Sequence, residues 1–179
     1  MTRIETRRLV LRELRDTDAR AVNDYASDPE VVRYMDWGPN NLAETKAFIQ
    51  RALEDRKEKP RYHYTFAITL KTDLKLIGSC GIHVSNPDNR EGWIGYCFNK
   101  QFWGKGYATE AARALVELGI NKLSLHRVFA TCDPANIVSS HVLENVGMKL
   151  EGHIRENKWA KGKWRDSLLY AIVEHEQKC

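Results

Sequence analysis

The sequence predicts an α+β protein in which a mostly antiparallel mixed sheet of about seven strands is covered by helices on both faces. Three observations carry this. Strand-like and helix-like patterns follow one another in the order β-α-α-α-β-β-β-α-β-α-β-β. The run Glu91 to Asn99 is apolar on both faces, with Trp93 and Cys97 on one and Ile94, Tyr96 and Phe98 on the other, as expected of a central strand covered from two sides. Directly after it comes a glycine-bearing turn, and then Ala108, Ala111, Ala112 and Leu115 at i, i+3, i+4 and i+7, one face of a helix.

Taken in order, Thr6 to Leu14 alternates from Arg8 onward and reads as the first strand. Thr17 and Asp18 offer N-cap chemistry for a helix to about Tyr25 or Ala26. Ser27-Asp28-Pro29-Glu30 predicts the start of a short second helix, with Pro29 in its first turn. Asn40 or Asn41 caps a longer helix to about Glu54, with Leu42, Phe48, Ile49 and Leu53 as its apolar side; the charged stretch Arg56 to Arg61 ends it as a solvated break. Tyr62 to Leu70 and Leu74 to Val84 form a hairpin about Lys71-Thr72-Asp73. After the central strand, the next helix runs to about Leu118, with Gly119 as its stop. Arg127 to Cys132 is a strand, and Ile137 to about Asn145 a helix closed by Gly147. Met148 to Ile154 and Trp164 to Val173 are the last strands, with Lys161-Gly162 in or near their turn. Gly95 in mid-strand suggests a bulge where backbone approaches a ligand.

At 179 residues, with 29% charged and 42% hydrophobic, the chain reads as one globular domain spanning 1–179. No apolar run reaches membrane-spanning length and no signal-peptide pattern opens the chain, so a cytoplasmic protein with no membrane partner is expected. Cys80, Cys97, Cys132 and Cys179 have no Cys-x-x-Cys spacing, and no metal is expected. The net charge of +4 suits an anionic cofactor as well as it suits nucleic acid.

The turn after the central strand carries the chemistry. In Gln101-Phe102-Trp103-Gly104-Lys105-Gly106-Tyr107-Ala108-Thr109, two glycines one residue apart permit φ > 0 and close backbone approach. The helix that follows opens on unpaired N–H groups and a positive dipole end. Together they make a cradle for a phosphate or diphosphate. A dinucleotide fingerprint would need glycine where Thr109 stands, and a P-loop would need glycine at Asn99 and Ser or Thr at Gly106. What remains, Gln-x-x-Gly-x-Gly, resembles the acetyl-CoA pyrophosphate loop of the GCN5-related N-acetyltransferases (GNAT). The wording Trp-Gly-Lys-Gly-Tyr-Ala-Thr-Glu-Ala is similar to the ribosomal-protein (RimJ/RimL-type) branch of that superfamily. The likeness extends over nearly the whole chain: Thr6 to Leu14, Asp28 to Met35, Ile94-Gly95-Tyr96, Asn136-x-x-Ser139 with Val142 to Met148, and Asp166 to Tyr170.

The resemblance implies a GNAT fold, with the sheet splayed in the middle between the Glu91–Asn99 and Arg127–Cys132 strands. It implies acetyl-CoA as cosubstrate. The pantetheine arm would pair with the backbone of Tyr96, Cys97 and Phe98. The diphosphate would lie on Gln101, Trp103, Gly104, Lys105, Gly106, Tyr107, Ala108 and Thr109, with Asn136 a further contact, although Asn136 also stands where a helix N-cap would. An unpaired strand edge suits the amides of a pantetheine chain.

Amine acetylation needs a donor for the developing oxyanion, a neutral amine and a proton for the departing thiolate. The tyrosine that many members carry on the last helix is Leu143 here. In the branch resembled, the serine of Asn-x-x-Ser is the suggested proton donor, which is Ser139. The glutamate that relatives often carry before Ile-Gly-Tyr is Trp93 here; Glu91, two residues earlier on the same strand face, is the candidate base, with a water chain as the alternative. The acceptor expected is a primary amine: a protein N-terminal α-amine first, and a polyamine, amino acid or aminoglycoside second. A non-catalytic acyl-CoA-binding module is the reading from another class. Two stretches mix aromatic and basic residues, Trp103-Gly104-Lys105 and Lys158 to Arg165. The first belongs to the glycine loop and the second reads as a hairpin with exposed charges, so no nucleic-acid partner is expected. The state expected is monomer or homodimer, the latter by analogy with relatives.

Overall fold

The computed structural model describes residues 2–177. An eight-stranded sheet runs β1-β2-β3-β4-β5-β6-β8-β7. The strands are β1 (Arg3–Glu5), β2 (Leu9–Glu13), β3 (His63–Leu70), β4 (Leu76–Asn86), β5 (Glu91–Phe98), β6 (Arg127–Cys132), β7 (Lys149–Ala160) and β8 (Lys163–Val173). The helices are α1 (Ala19–Ala26), α2 (Leu42–Asp55), α3 (Tyr107–Asn121) and α4 (Ile137–Val146). β5 and β6 are parallel and every other pair is antiparallel.

The alternation along β5 divides the core as the sequence requires. Ile94 and Phe98 join Leu9, Leu11, Phe66, Ile82, Leu115 and Leu143 beneath α3 and α4. Cys97 joins Leu14, Val22, Tyr25, Ile49 and Ala67 beneath α1 and α2. Trp93 lies on the second face but remains 39% exposed.

Several expectations are corrected. An eighth strand, β1, adds to the edge; Arg3-Ile4-Glu5 holds a single apolar side chain, too short a pattern to announce a strand. The segment after Asp28 forms consecutive turns rather than a second helix. Gly119 does not stop α3, which runs on to Asn121. Its glycine is instead required by packing: a Cβ there would lie 2.6 Å from Ile82 Cδ1 and 3.0 Å from Val128 Cγ2. Gly95 pairs regularly with Gly81, and the bulge between β4 and β5 falls at Val84/Asn86. On α2 the buried residues are Thr45, Ile49 and Ala52, whereas Leu42 and Phe48 are exposed. The Arg56–Arg61 break is more than solvated turn: Arg61 pairs with the buried carboxylate of Glu13 at 2.7 Å and Arg56 approaches it at 3.6 Å.

Other local readings hold. Asn41 and Glu44 form a reciprocal capping box on α2 (2.9 and 2.7 Å), and Gly147, at φ 97°, closes α4. Lys161 and Gly162 both take positive φ in the two-residue turn between β7 and β8. β7 is longer than its apolar pattern suggests because its second half, an edge strand, is almost wholly exposed and polar. Cys80, Cys97 and Cys132 are buried free thiols; Cys179 lies outside the described residues.

Candidate active site

β5 and β6 share only three paired positions, Glu91↔Arg127, Gly92↔Val128 and Trp93↔Phe129. Yet β5 continues to Phe98 and β6 to Cys132. From Ile94 onward the two strands part, and the edges they would have paired face an opening. The glycine loop lies at the wide end of this opening, because it follows β5 directly.

In the loop, Gly104 and Gly106 take φ of 71° and 76°. A Cβ on Gly104 would meet no protein atom within 4 Å, so the loop presents bare backbone outward. The first helical bond of α3 runs from the Glu110 N–H to the Gly106 carbonyl (3.2 Å), leaving the N–H groups of Tyr107, Ala108 and Thr109 ahead of it. Side chains brace the loop from below. Gln101 N–H donates to Asn99 Oδ1 (3.0 Å), and Lys105 Nζ folds back to the Gln101 carbonyl (3.0 Å). The Trp103 indole N–H donates to the Phe98 carbonyl at the end of β5 (2.9 Å). This geometry fits a diphosphate: N–H groups ahead of the first helical bond, positive φ at both glycines and open space over Gly104.

Arg8 and Glu110 are part of the loop's support and were not legible in sequence, because they meet from 102 residues apart. Glu110, on the first turn of α3, accepts from the Thr6 hydroxyl (2.6 Å), the Arg8 main-chain N–H (2.7 Å) and Arg8 Nε (2.7 Å). Arg8 NH1 donates to the Lys105 carbonyl (2.8 Å), and its guanidinium lies 4.5 Å from the centre of the Tyr107 ring. Burial pushes the Glu110 carboxyl up, but these three donors together hold it below the usual carboxylate value. The stability it contributes is therefore present at neutral pH and lost as pH falls through its lowered folded value. Arg8→Ala removes both the loop brace and a cation beside the cradle. It is expected to weaken coenzyme A binding about tenfold, some 1.4 kcal/mol, with kcat little changed, as read by titration calorimetry beside steady-state kinetics.

Across the opening, Tyr96 and Ser139 meet. The Tyr96 hydroxyl is 2.9 Å from Ser139 Oγ, either being able to donate. Burial pushes the Tyr96 phenol up to about 12, against the Ser139 hydrogen bond, so it stays protonated at neutral pH. Asn136 Oδ1 accepts from the Ser139 N–H (3.2 Å), so Asn136 is the N-cap of α4 and fixes where Ser139 stands. Leu143 is 1% exposed and belongs to the core, so no hydroxyl comes from that position.

Glu91 is not brought to this pair. It lies at the closed end of β5, where Arg127 Nε bonds its Oε2 (2.8 Å) while the two terminal nitrogens of Arg127 bind Glu151 (2.9 and 2.7 Å). Five steps along the strand, ~17 Å at about 3.3 Å per residue, separate it from Tyr96.

On the α1 side of the opening, the β7–β8 hairpin reaches the segment between α1 and α2. Lys161 Nζ donates to the Val32 carbonyl (2.7 Å) and Arg165 to the Arg33 carbonyl (3.3 Å). Lys158 Nζ donates to Thr131 Oγ1 (3.3 Å), placing a third cation there.

The sheet is thus opened beside its central strand, with a glycine loop at the mouth and a hydroxyl pair spanning the gap. The chain belongs to the acetyltransferase (GNAT) family, whose domain matches residues 8–149. It is an N-acetyltransferase. It is 36% identical over 173 residues to the uncharacterized N-acetyltransferase YnaD of Bacillus subtilis, covering 97% of this chain and 98% of the other. The crystal structure of a GNAT-family acetyltransferase from Bacillus anthracis superposes with a TM-score of 0.87 at 31% identity, over 98% of this chain and all of that one. RimJ of Mycobacterium smegmatis, solved with a coenzyme A disulfide, gives 0.85 at 27% identity over 97% and 88% of the two chains, in line with the ribosomal-protein branch. Spermidine N(1)-acetyltransferase of Escherichia coli is 22% identical over 93% of this chain and 86% of its own. No helix among the described residues is long and apolar enough to cross a membrane.

Proposed function

We propose that this chain transfers acetyl directly from acetyl-CoA to the N-terminal α-amine of a protein. The observation that carries the reading is the Tyr96–Ser139 hydroxyl pair across the β5–β6 opening. The main chain of Tyr96, Cys97 and Phe98 pairs with the pantetheine amides, and one of its N–H groups faces the developing oxyanion. The amides from Gly104 to Thr109 hold the diphosphate, flanked by Gln101, Trp103 and Lys105. Asn136 seats Ser139, and Ser139 gives its proton to the departing thiolate, with Tyr96 hydrogen-bonded behind it. Acetyl-CoA supplies the activated acyl group; no metal has a part in this scheme. Glu91 has a bracing role at the closed end, because Arg127 already engages its carboxylate.

A protein terminus is favoured over a polyamine by charge. Lys158, Lys161 and Arg165 crowd the side from which an acceptor would enter. A polyamine carries further ammonium groups that these cations repel, whereas a peptide presents one amine followed by neutral or acidic residues. Thiol release from acetyl-CoA across a panel of amines tests this. We expect kcat/KM for a peptide with an acidic second or third residue to exceed that for spermidine about 100-fold, a difference near 2.7 kcal/mol. A preference for spermidine or an aminoglycoside would transfer the assignment to small-molecule amines.

A further inference from the structure

The face of the sheet turned toward α1 and α2 carries a side-chain cluster that the scheme above leaves unused. His63 on β3, His83 on β4 and Trp93 on β5 stand opposite one another across adjacent strands. The His83 imidazole stacks on the Trp93 indole, with centroids 4.1 Å apart and planes at 21°. Its Nδ1 lies 2.6 Å from Nδ1 of His63, a separation that requires one proton between the two nitrogens. The other nitrogen, His83 Nε2, lies over Gly81, 3.3 Å from where a Cβ on that residue would sit. Gly81 faces Gly95 on β5, and the Trp93 ring leans the same way, 3.4 Å from a Cβ at Gly95. A Cβ at Gly81 would also crowd the Tyr64 carbonyl at 2.8 Å, so the open floor beside the two rings is Gly95. That floor lies just past the last β5–β6 pair, one residue before Tyr96, and on the face opposite the core into which Tyr96 packs.

From this arrangement we infer that His83 Nε2 takes the proton the acceptor amine must lose, and that His63 passes it to solvent. The acceptor ammonium gives one proton to His83 Nε2, His83 gives its Nδ1 proton to His63 Nδ1, and exposed His63 gives its Nε2 proton to water; exchange with solvent then returns the pair to its starting tautomers. The neutral amine nitrogen bonds the acyl carbon as the carbon–sulfur bond breaks. Sulfur leaves with the electron pair and takes the Ser139 proton, and the second proton shed by the nitrogen restores the Ser139 hydroxyl. Burial, and then the neighbouring His63, push the His83 imidazolium down to about 4, so His83 is neutral and does not keep what it receives. A base that weak serves only if the proton moves on, which is the part His63 plays.

The charged groups around the pair are already engaged. Arg61, ahead of β3, donates to the His63 carbonyl (2.9 Å) and pairs with Glu13. Glu91 and Arg127 bind one another at the closed end. From α1, the Tyr25 hydroxyl donates to Ser79 (2.8 Å).

This inference rests on the transfer reaction proposed above, and the pH dependence of kcat/KM for a peptide acceptor tests it. An α-amine of pKa about 7.7–8.0 is only about one-tenth neutral at pH 7. Without the relay, turnover falls back on that fraction. His83→Ala and His83→Gln are expected to lose about tenfold at pH 7 and to recover to within about twofold by pH 9. Imidazole in the medium should restore part of the His83→Ala loss, and the KM for acetyl-CoA should not move. A His63→Gln chain should fall between wild type and His83→Ala. Melting temperature and coenzyme A binding show that each variant is folded. A loss equal at every pH in folded variants, or no loss, overturns the relay while leaving transfer intact. A wild-type chain that acetylates no amine overturns both.

Discussion

Gly104→Val is expected to raise the Kd for coenzyme A about 100-fold, close to 2.7 kcal/mol, while the protein remains folded. The residue sits at φ 71°, where a β-branched side chain costs on the order of 1–2 kcal/mol. That strain falls on an exposed loop, and a Cβ at Gly104 meets no protein atom within 4 Å, so nothing in the core opposes the substitution. The same empty space is where a diphosphate would reach the amides of the loop and of Tyr107 to Thr109. Isopropyl bulk there separates phosphate from donor and turns the donors away. Calorimetric titration with coenzyme A, beside thermal melting of the free protein, distinguishes this outcome from a general loss of structure. An unchanged Kd in the valine variant would place the diphosphate elsewhere.

Ser139→Ala is expected to lower kcat about 100-fold with the KM for acetyl-CoA within about threefold of wild type, as for a lost general acid. A thiol near pKa 8.5 leaves poorly from an amine adduct unless a proton or strong donor meets it. Ser139 is held at the opening by the Asn136 cap and by Tyr96, so the hydroxyl is positioned before any ligand arrives. Tyr96→Phe is expected to cost less, about fivefold to tenfold, because Ser139 stays in place and loses only the partner that orients its proton. Single-turnover measurements separate this chemical step from product release. Equal losses in both variants would shift the proton donor from the serine to the tyrosine.

Much of the fold was legible because its signals are local. The glycine loop, the two-sided apolar pattern of β5, the Asn41–Glu44 capping box and the Gly147 helix end all announce themselves within a few residues. What sequence missed are features made by distance. Arg8 and Glu110 look like ordinary surface charges until β2 is laid beside α3. Gly119 imitates a helix stop, and only the approach of Ile82 and Val128 reveals why a side chain is excluded. Glu91 shares a strand face with Trp93, which made it a candidate base; the parallel pairing that sets Arg127 opposite it is invisible in either segment alone. His63 and His83, twenty residues apart in sequence, come together only through the β3–β4 register.

The sheet is in effect two blocks, β1–β5 and β6–β8, sewn together by a short parallel seam and by the helices that straddle it. On the proposed reading, a molecule lodged in the gap would continue that seam, completing backbone bonds that the polypeptide leaves undone. Cosubstrate would then act as a structural splint as well as a reagent. The loaded enzyme would breathe less than the empty one, and each release of spent coenzyme would momentarily return the architecture to its looser, two-part form.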